Sequence, residues 1–276
     1  MSTLADRTTN TLADRTIAAL RSNHDELAAS VREFDQQDLA RQSGSSQWDV
    51  AQVLSHLGSG AEIGLASLQT GLAGRPGPDQ DFNRSVWDRW NAMSAQEKAK
   101  GFLSAGEQLV TGYENLDAAA RQELQIKMAF LPFPAGVALL SGMRLNEATL
   151  HGWDVRVAFD PQATISGQEA DTALEQLTGP LSFMVGLLGK PEALGGTQAT
   201  LRVETTDPRR VLSLVLGPTI SLSDEPADSD DVLTAPAEAL LRLLGGRLDQ
   251  AHTPETLTIT SDVVTLDQLR KIFPGI

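Results

Sequence analysis

The 276-residue sequence predicts a two-domain α+β protein, in which an up-down four-helix bundle is followed by a smaller α+β domain. The chain is longer than the roughly 100–200 residues of a typical single domain. Its first part carries apolar residues at helical spacing, whereas its last part carries short alternating and β-branched runs. Strands grouped together with helices at their margins are typical of an α+β domain. We therefore place the domains at residues 1–162 and 163–276.

Four long helices are predicted in the first domain. Apolar positions such as Leu20, Leu27 and Val31 line one face of the first helix, and Ser94 and Glu97 have the spacing of a capping box at the start of the third. In order, the predicted helices are Leu12–Phe34, a second that Ser46 caps and that ends near the Gly71–Pro78 loop, a third after Ser94, and Val137–Phe159. Four such helices indicate an up-down bundle.

Shorter elements follow in the second domain. They are a helix over Glu169–Leu188, strands over Thr200–Thr205, Val211–Leu216 and Leu257–Ser261, a weaker strand over Thr219–Ser223, and helices over Pro236–Leu244 and Leu266–Ile272. The acidic stretch Asp224–Asp231 is interpreted as a solvated loop.

Composition and charge exclude several classes of partner. The net charge is −14, the pI is near 4.6, and Lys and Arg form no cluster. Nucleic acid and anionic membrane surfaces would therefore be repelled. No uncharged apolar run reaches the roughly 18 residues that a membrane span needs. The sequence does not start with a basic region followed by an apolar stretch, so we expect a cytoplasmic protein.

The sequence contains no cysteine. This excludes disulfides, thiolate metal sites and a sulfur nucleophile within the chain, so any reacting thiol must come from another molecule. The hexapeptide TLADRT occurs twice, at Thr3–Thr8 and Thr11–Thr16, and is interpreted as a frayed helical extension or an alternative start.

The segment Asn146–Asp154, with the sequence NEATLHGWD, carries most of the chemical information. Glu147 and His151 are four residues apart on one predicted helix, so their side chains leave the same face and are able to meet one ion. An exposed helical pair is the alternative, since such pairs are common on surfaces. The surrounding helix is strongly apolar, however, and a buried carboxylate is costly unless it is paired or binds a metal.

His56 is the natural third ligand, because it lies among apolar residues of the second predicted helix. A hydrogen-bonded core histidine is the alternative interpretation. Two histidines and one carboxylate leave a fourth tetrahedral position free, which is typical of catalytic zinc sites. Asp154 either orients one of the ligands or is a solvated carboxylate on the helix surface. The two other histidines, His24 and His252, are predicted to be solvated.

Three segments of the sequence form a recognisable set: Trp48–Asp49–Val50, Leu54–Ser55–His56–Leu57–Gly58, and Glu147 followed by His151–Gly152–Trp153–Asp154. Together they resemble the mycothiol-dependent maleylpyruvate isomerase family of actinobacteria. The segment Ala235–Leu248 is similar to a motif in that family's second domain, which is related to sterol carrier proteins. The resemblance implies a DinB-like metal-binding bundle at residues 1–162 and a sterol-carrier-protein-like α+β domain at residues 163–276.

The resemblance also implies the site residues and cofactors. His56, Glu147 and His151 would hold zinc, and mycothiol would be the thiol cosubstrate. Histidine and carboxylate ligands also tolerate nickel, iron or manganese. Arg247 is a candidate contact for mycothiol or an acidic substrate, with Arg84 and Arg144 as weaker candidates. Two segments are expected to line the substrate pocket, namely Arg75–Arg84 and Phe130–Pro134.

Three functions fit these observations. The first is a zinc enzyme, a monomer or small homo-oligomer, that adds a low-molecular-weight thiol to an electrophilic small molecule, as an isomerase or a thiol S-transferase. The second is a zinc hydrolase, in which an acid such as Asp154 serves as base. It is weaker because the sequence lacks the glutamate next to a zinc histidine seen in HExxH. The third is a non-catalytic protein that binds a metal or a small ligand.

Overall fold

The structure is a computed structural model that describes residues 11–275. The chain divides into two compact units between Ala163 and Thr164. The first copy of the TLADRT repeat lies outside the described residues. In the second copy, Thr11 caps the first helix: its hydroxyl accepts from the main-chain N–H of Asp14, and Asp14 accepts in return from the main-chain N–H of Thr11.

The amino-terminal unit is built on four long helices, as the sequence predicts. Its elements are α1 (Leu12–Val31), α2 (Gln36–Leu39), α3 (Val50–Leu72), α4 (Gln80–Asn91), α5 (Ala95–Glu114), α6 (Ala118–Glu123), β1 (Gln125–Ile126), β2 (Ala135–Gly136) and α7 (Val137–Arg156). The closest packing joins α3 to α5 and α1 to α7, and α3 also packs on α7. These four helices share one apolar core, and α4 lies against α3.

Two details of the amino-terminal unit differ from the prediction. Ser46 does not cap α3; Asp49 does, because its carboxylate accepts from the main-chain N–H of Gln52 at 2.7 Å. The second correction is α4 itself, which the sequence did not predict. It is capped by Asp79 and buries only Val86 and Trp90, too few apolar positions to give a clear helical pattern.

Trp90 is the main contact between α4 and the bundle. Its indole ring lies against two glycines, Gly58 of α3 and Gly101 of α5, and a Cβ at Gly58 would overlap the ring. The indole N–H donates to Glu62 Oε2 at 2.9 Å. Because Gly58 has no side chain, the buried ring of Trp90 is able to reach the backbone of α3 two residues from His56.

The carboxy-terminal unit combines one sheet with five α-helical or 3-10 segments of the described chain. They are α8 (Gly167–Thr178), α9 (Ser182–Leu188), a 3-10 turn (Pro191–Leu194), α10 (Ala237–Leu244) and α11 (Leu266–Ile272). The strands are β3 (Ala199–Thr206), β4 (Arg209–Leu216), β5 (Ser221–Ser223), β6 (Val232–Ala235) and β7 (Thr258–Thr260). The sheet order is β5-β4-β3-β6-β7, with β3 and β6 parallel and the other pairs antiparallel.

Two details of this unit differ from the prediction. The helix expected over Glu169–Leu188 is two helices, because the Gly179–Pro180 pair interrupts it. Strand β6 was not predicted, since its four residues directly follow an acidic segment and are too few to show alternation. The α+β class is confirmed. Within the described residues, no helix is long and apolar enough to cross a membrane.

The substitution Gly58→Ala is expected to destabilise the amino-terminal unit by about 1–3 kcal/mol, because the new methyl group would displace the ring of Trp90. Gly64→Ala on the same helix is the matched control. Its Cβ would meet only the flexible end of Leu109, at 3.3 Å, so the helical preference of alanine should leave stability unchanged or raised. Thermal unfolding of both variants measures the difference, and equal stability would contradict the proposed packing.

Candidate metal centre

The three predicted ligands meet where α3 packs on α7. His56 Nε2 of α3 lies 2.8 Å from Glu147 Oε2 of α7, and the same carboxylate oxygen lies 3.7 Å from His151 Nε2. The ligand atoms of all three side chains lie within 4.8 Å of one another. The four-residue spacing of Glu147 and His151 places both on the face of α7 that meets His56.

The spacing of these atoms suits a divalent ion. Zinc ligands lie about 2.0–2.2 Å from the metal, which puts neighbouring tetrahedral ligand atoms roughly 3.4 Å apart. The measured separations of 2.8 and 3.7 Å bracket that value, so small side-chain shifts would allow His56, Glu147 and His151 to share one ion. The donor set of two imidazoles and one carboxylate suits zinc and several other divalent metals.

The cluster is open on one side. The side chains of His56 and Glu147 are 37% and 46% exposed, whereas His151 is only 12% exposed. Trp48 packs over both imidazoles, with ring centroids 5.1 Å from His56 and 5.7 Å from His151. Three protein ligands with an accessible side allow a further ligand to approach, as in catalytic rather than structural zinc sites.

Asp154 orients His151 through the ring nitrogen that faces away from the cluster. Its carboxylate is fully buried, and Oδ2 accepts from His151 Nδ1 at 2.8 Å. The alternative of a solvated surface carboxylate is therefore wrong. With its proton on Nδ1, His151 presents the lone pair of Nε2 to the cluster, which is the tautomer that a metal requires. Asp154 lies on the opposite side of the imidazole from Nε2, away from the open side of the cluster.

The loop before α3 packs directly on this carboxylate. Gly44 donates its main-chain N–H to the carbonyl oxygen of Asp154 at 2.8 Å. A Cβ on Gly44 would lie 3.0 Å from Asp154 Oδ1 and 2.8 Å from a methyl carbon of Val157. Any side chain at position 44 would therefore push on the group that orients His151. Sequence reasoning missed Gly44, because its contact joins segments more than 100 residues apart.

Glu147 is held in its charged form. Partial burial acts to raise its pKa, but the hydrogen bond with His56 and the electrostatic effects of His151, His56 and Arg144 lower the pKa to about 2. Burial lowers the pKa of Arg144 to about 10. The guanidinium of Arg144 donates to the carbonyl oxygen of Leu57 at 2.7 Å. Arg144 thus lies behind the cluster, one turn before Glu147, where its charge favours the carboxylate.

The other two candidate arginines belong to α4 and to the carboxy-terminal unit. Arg84 is on α4, is 63% exposed, and forms an ion pair with Asp81 one turn earlier. Arg247 belongs to the carboxy-terminal unit, where its guanidinium donates to the carbonyl oxygen of Gly245 at 2.6 Å.

The prediction of a solvated His24 is wrong. The residue is 6% exposed, its ring lies 5.6 Å from that of Phe102, and burial lowers its pKa. His24, Asp25 and Glu107 form a second group of potential ligands. There, however, both carboxylate oxygens of Glu107 accept from Arg21, at 2.7 and 3.2 Å. His252 is partly exposed and contacts Asp249 through Nδ1.

Two chambers open beside His56. The first, which we call the polar chamber, has a volume of about 370 Å³ and is lined by Trp48, Gln52, Ser55, His56, Ser59, Trp87, Asn91 and Lys98. The second, the apolar chamber, has a volume of about 540 Å³ and is lined by His56, Gly60, Ile63, Gln80, Asn83, Arg84, Trp87, Ala129 and Phe130. Of the residues that the structure describes, only His56 and Trp87 line both chambers. The sequence predicts that Arg75–Arg84 and Phe130–Pro134 line a pocket. One residue of each segment, Arg84 and Phe130, lines the apolar chamber.

Sequence reasoning missed Trp87 and Lys98, which flank the cluster. Trp87 lies on α4, the unpredicted helix, and Lys98 lies on the exposed first turn of α5. A signal for α4 was present, because Asp79 precedes Phe82 by the three residues of an N-cap contact and the tryptophans at 87 and 90 are one turn apart.

The fold and the cluster together define a class: a helical bundle with a two-histidine, one-glutamate candidate metal site, joined to an α+β unit. The family model described as "Mycothiol maleylpyruvate isomerase N-terminal domain" matches residues 20–156, a range that contains every residue of the cluster and Asp154. Residues 20–156 therefore belong to the family of the mycothiol maleylpyruvate isomerase N-terminal domain.

Solved structures extend the likeness in fold to both units. A crystal structure of the mycothiol-dependent maleylpyruvate isomerase is similar with a TM-score of 0.62 at 13% identity, covering 96% of this chain and 98% of that chain. A histidine-to-alanine mutant of that isomerase gives the same TM-score and coverage at 12% identity. No curated protein sequence matches the chain significantly.

The substitution Asp154→Asn is expected to lower the affinity of the protein for zinc by about 10- to 100-fold, because the neutral amide no longer holds the proton on His151 Nδ1 as firmly. Gly44→Ala should act in the same direction by displacing Asp154. Competition with a chromophoric chelator measures both affinities.

His252→Ala is the matched control for these measurements, since it changes a histidine of the other unit that already contacts a carboxylate, and it should leave zinc affinity unchanged. An Asp154→Asn protein that binds zinc as tightly as the unmodified chain would show that the buried carboxylate does not support the site.

Proposed function

We propose that this chain is a divalent-metal enzyme that activates a low-molecular-weight thiol, mycothiol, for addition to an electrophilic small molecule. Isomerisation of a maleylpyruvate-like substrate is the preferred reaction, and thiol S-transfer is the alternative at the same site. The observation that carries the proposal is the convergence of His56, Glu147 and His151 at an accessible position within the residues that belong to this family. We take zinc as the metal by analogy.

Each residue has a distinct role in this proposal. His56, Glu147 and His151 would hold the ion through Nε2, a carboxylate oxygen and Nε2. When bound, the ion would supply Lewis acidity that lowers the pKa of a thiol beside it. Asp154 keeps the Nδ1 proton on His151, and Arg144 favours the charged form of Glu147. Trp48 covers the two imidazoles and limits the approach of water from its side.

The absence of cysteine supports a thiol that arrives as a cosubstrate. All 276 residues lack a sulfhydryl group, so the chain itself offers no sulfur nucleophile. In the isomerase reaction, the thiolate would add to one carbon of a cis double bond and form a C–S bond. Rotation about the resulting single bond, followed by cleavage of the C–S bond, would give the trans product and return the thiolate. In the transferase reaction, the C–S bond would remain and the adduct would leave.

The position of Asp154 disfavours the hydrolase alternative. A general base must lie within hydrogen-bond reach of the water it activates. Asp154 is fully buried and faces His151 Nδ1, on the side of the ring away from the cluster. The remaining alternative, a protein that binds a metal or small ligand without turnover, is an outcome of the experiment below. A cytoplasmic location and a monomer or small homo-oligomer stay predictions.

Zinc-loaded protein is expected to convert maleylpyruvate only when mycothiol is present. His56→Ala, which removes a ligand but leaves the bundle core intact, should lower kcat/KM by roughly 10³-fold, since Lewis acidity contributes several kcal/mol. Product is measured by absorbance and chromatography, with chlorodinitrobenzene as a second electrophile to detect S-transfer.

Lys100→Met, on the exposed face of α5, serves as the control and should be fully active. Equal rates with and without thiol would contradict the proposal. Tight binding of ligands without product from either electrophile would favour the non-catalytic alternative.

A further inference from the structure

We infer that the two chambers beside His56 hold the two cosubstrates separately, with the thiol in the polar chamber and a planar electrophile bearing an anionic group in the apolar chamber. This inference rests on the proposed function and extends it. Both chambers reach the cluster through His56, and the exposed ring of Trp87 lies between them.

The polar chamber has the chemistry to hold a polyhydroxylated ligand. Three of its side chains come from consecutive turns of α3, namely Gln52, Ser55 and Ser59, and they lie on the face that carries His56. Lys98 of α5 adds a cation. Among residues 11–275, no carboxylate lies close enough to form an ion pair with Lys98. Hydroxyl, amide and ammonium groups at this density would bind the hydrophilic body of a thiol such as mycothiol.

The apolar chamber has different walls. It shares Trp87 with the polar chamber, but its other walls are the exposed ring of Phe130 and, along α3, the apolar side formed by Ile63 and Gly60. Aromatic rings favour a flat, conjugated ligand, because stacking adds to the burial of apolar area. A double bond conjugated to a carbonyl group, the kind of bond to which a thiolate adds, has this flat shape.

One polar group in the apolar chamber defines a further feature of the ligand. Arg84 is paired with Asp81, but both side chains are largely exposed, at 63% and 84%, so the pair is weak and a ligand carboxylate would compete for the guanidinium. The electrophile that fits this chamber therefore carries an anionic group.

Binding of the two ligands in separate chambers has a consequence for catalysis. Each ligand reaches His56 from its own side of Trp87, so both are able to occupy the site together, with the sulfur and the double bond meeting at the cluster. Binding two reactants in defined positions turns their encounter into an intramolecular step. Trp87 is therefore a positioning residue, and the lining of the apolar chamber determines which electrophile is accepted.

The test uses a matched pair of substitutions that each replace one cation by methionine, Lys98→Met and Arg84→Met, in the full-length zinc-loaded protein. A lost charge-assisted hydrogen bond should raise the relevant KM by roughly tenfold or more. Lys98→Met should raise the KM for mycothiol and leave that for the electrophile unchanged. Arg84→Met should raise the KM for maleylpyruvate, which carries carboxylates, and leave those for mycothiol and uncharged chlorodinitrobenzene unchanged.

Calorimetric Kd values for mycothiol provide a second readout that does not require turnover. They should rise in Lys98→Met and in Trp87→Ala, and stay constant in Arg84→Met. Exchanged effects, or equal effects of both methionine variants on one ligand, would overturn the assignment of the chambers. Absence of thiol-dependent product from unmodified protein would instead overturn the proposed function, and the Kd values would still decide which chamber binds the thiol.

Discussion

The hydrogen bond between the buried carboxylate of Asp154 and His151 Nδ1 fixes the geometry on which the candidate site depends. A carboxylate with no exposure to solvent costs several kcal/mol unless charged or polar partners compensate it. Here His151 is such a partner, and the main-chain N–H of Gly44 donates to the carbonyl oxygen of Asp154. The imidazole therefore has one orientation and one tautomer, with Nε2 facing Glu147 and His56.

The bundle fixes the remaining geometry by packing α3 against α7. Glu147 and His151 come from one helix and His56 from the other, so the cluster exists only while these two helices keep their register. On its far side, α3 is held by Trp90, whose ring needs the absence of a side chain at Gly58. The glycine in the motif around His56 is thus explained by the attachment of α4. That helix in turn supplies Trp87 and Arg84 to the chambers beside the cluster.

The sequence predicted the parts of the fold that depend on periodic apolar residues. The four bundle helices and the long strands of the second unit have enough buried positions to show their period. Helix α4 buries only Val86 and Trp90 and was missed, and the four-residue strand β6 was missed for lack of length. Both elements owe their structure to neighbours distant in sequence, which a local pattern does not record.

The candidate site, like the fold, was predictable only where it depends on local sequence. The spacing of Glu147 and His151 and the apolar surroundings of His56 indicated the cluster, because ligand type and helical spacing are local properties. The burial of Asp154 and His24 was not predictable in this way, since each is covered by a different part of the chain. The walls of the two chambers come from the loop before α3, from α3, α4 and α5, and from the segment after β1, so only the folded chain defines them.

The proposed function requires the cluster to hold one divalent ion with a position open to a thiol sulfur. Optical absorption of the cobalt-substituted protein during titration with mycothiol tests it most directly, because a thiolate bound to cobalt gives a strong sulfur-to-metal charge-transfer band. We expect a tetrahedral cobalt spectrum from about one ion per chain, to which mycothiol adds that band. A protein that takes up no cobalt, or whose cobalt spectrum does not respond to the thiol, would contradict it.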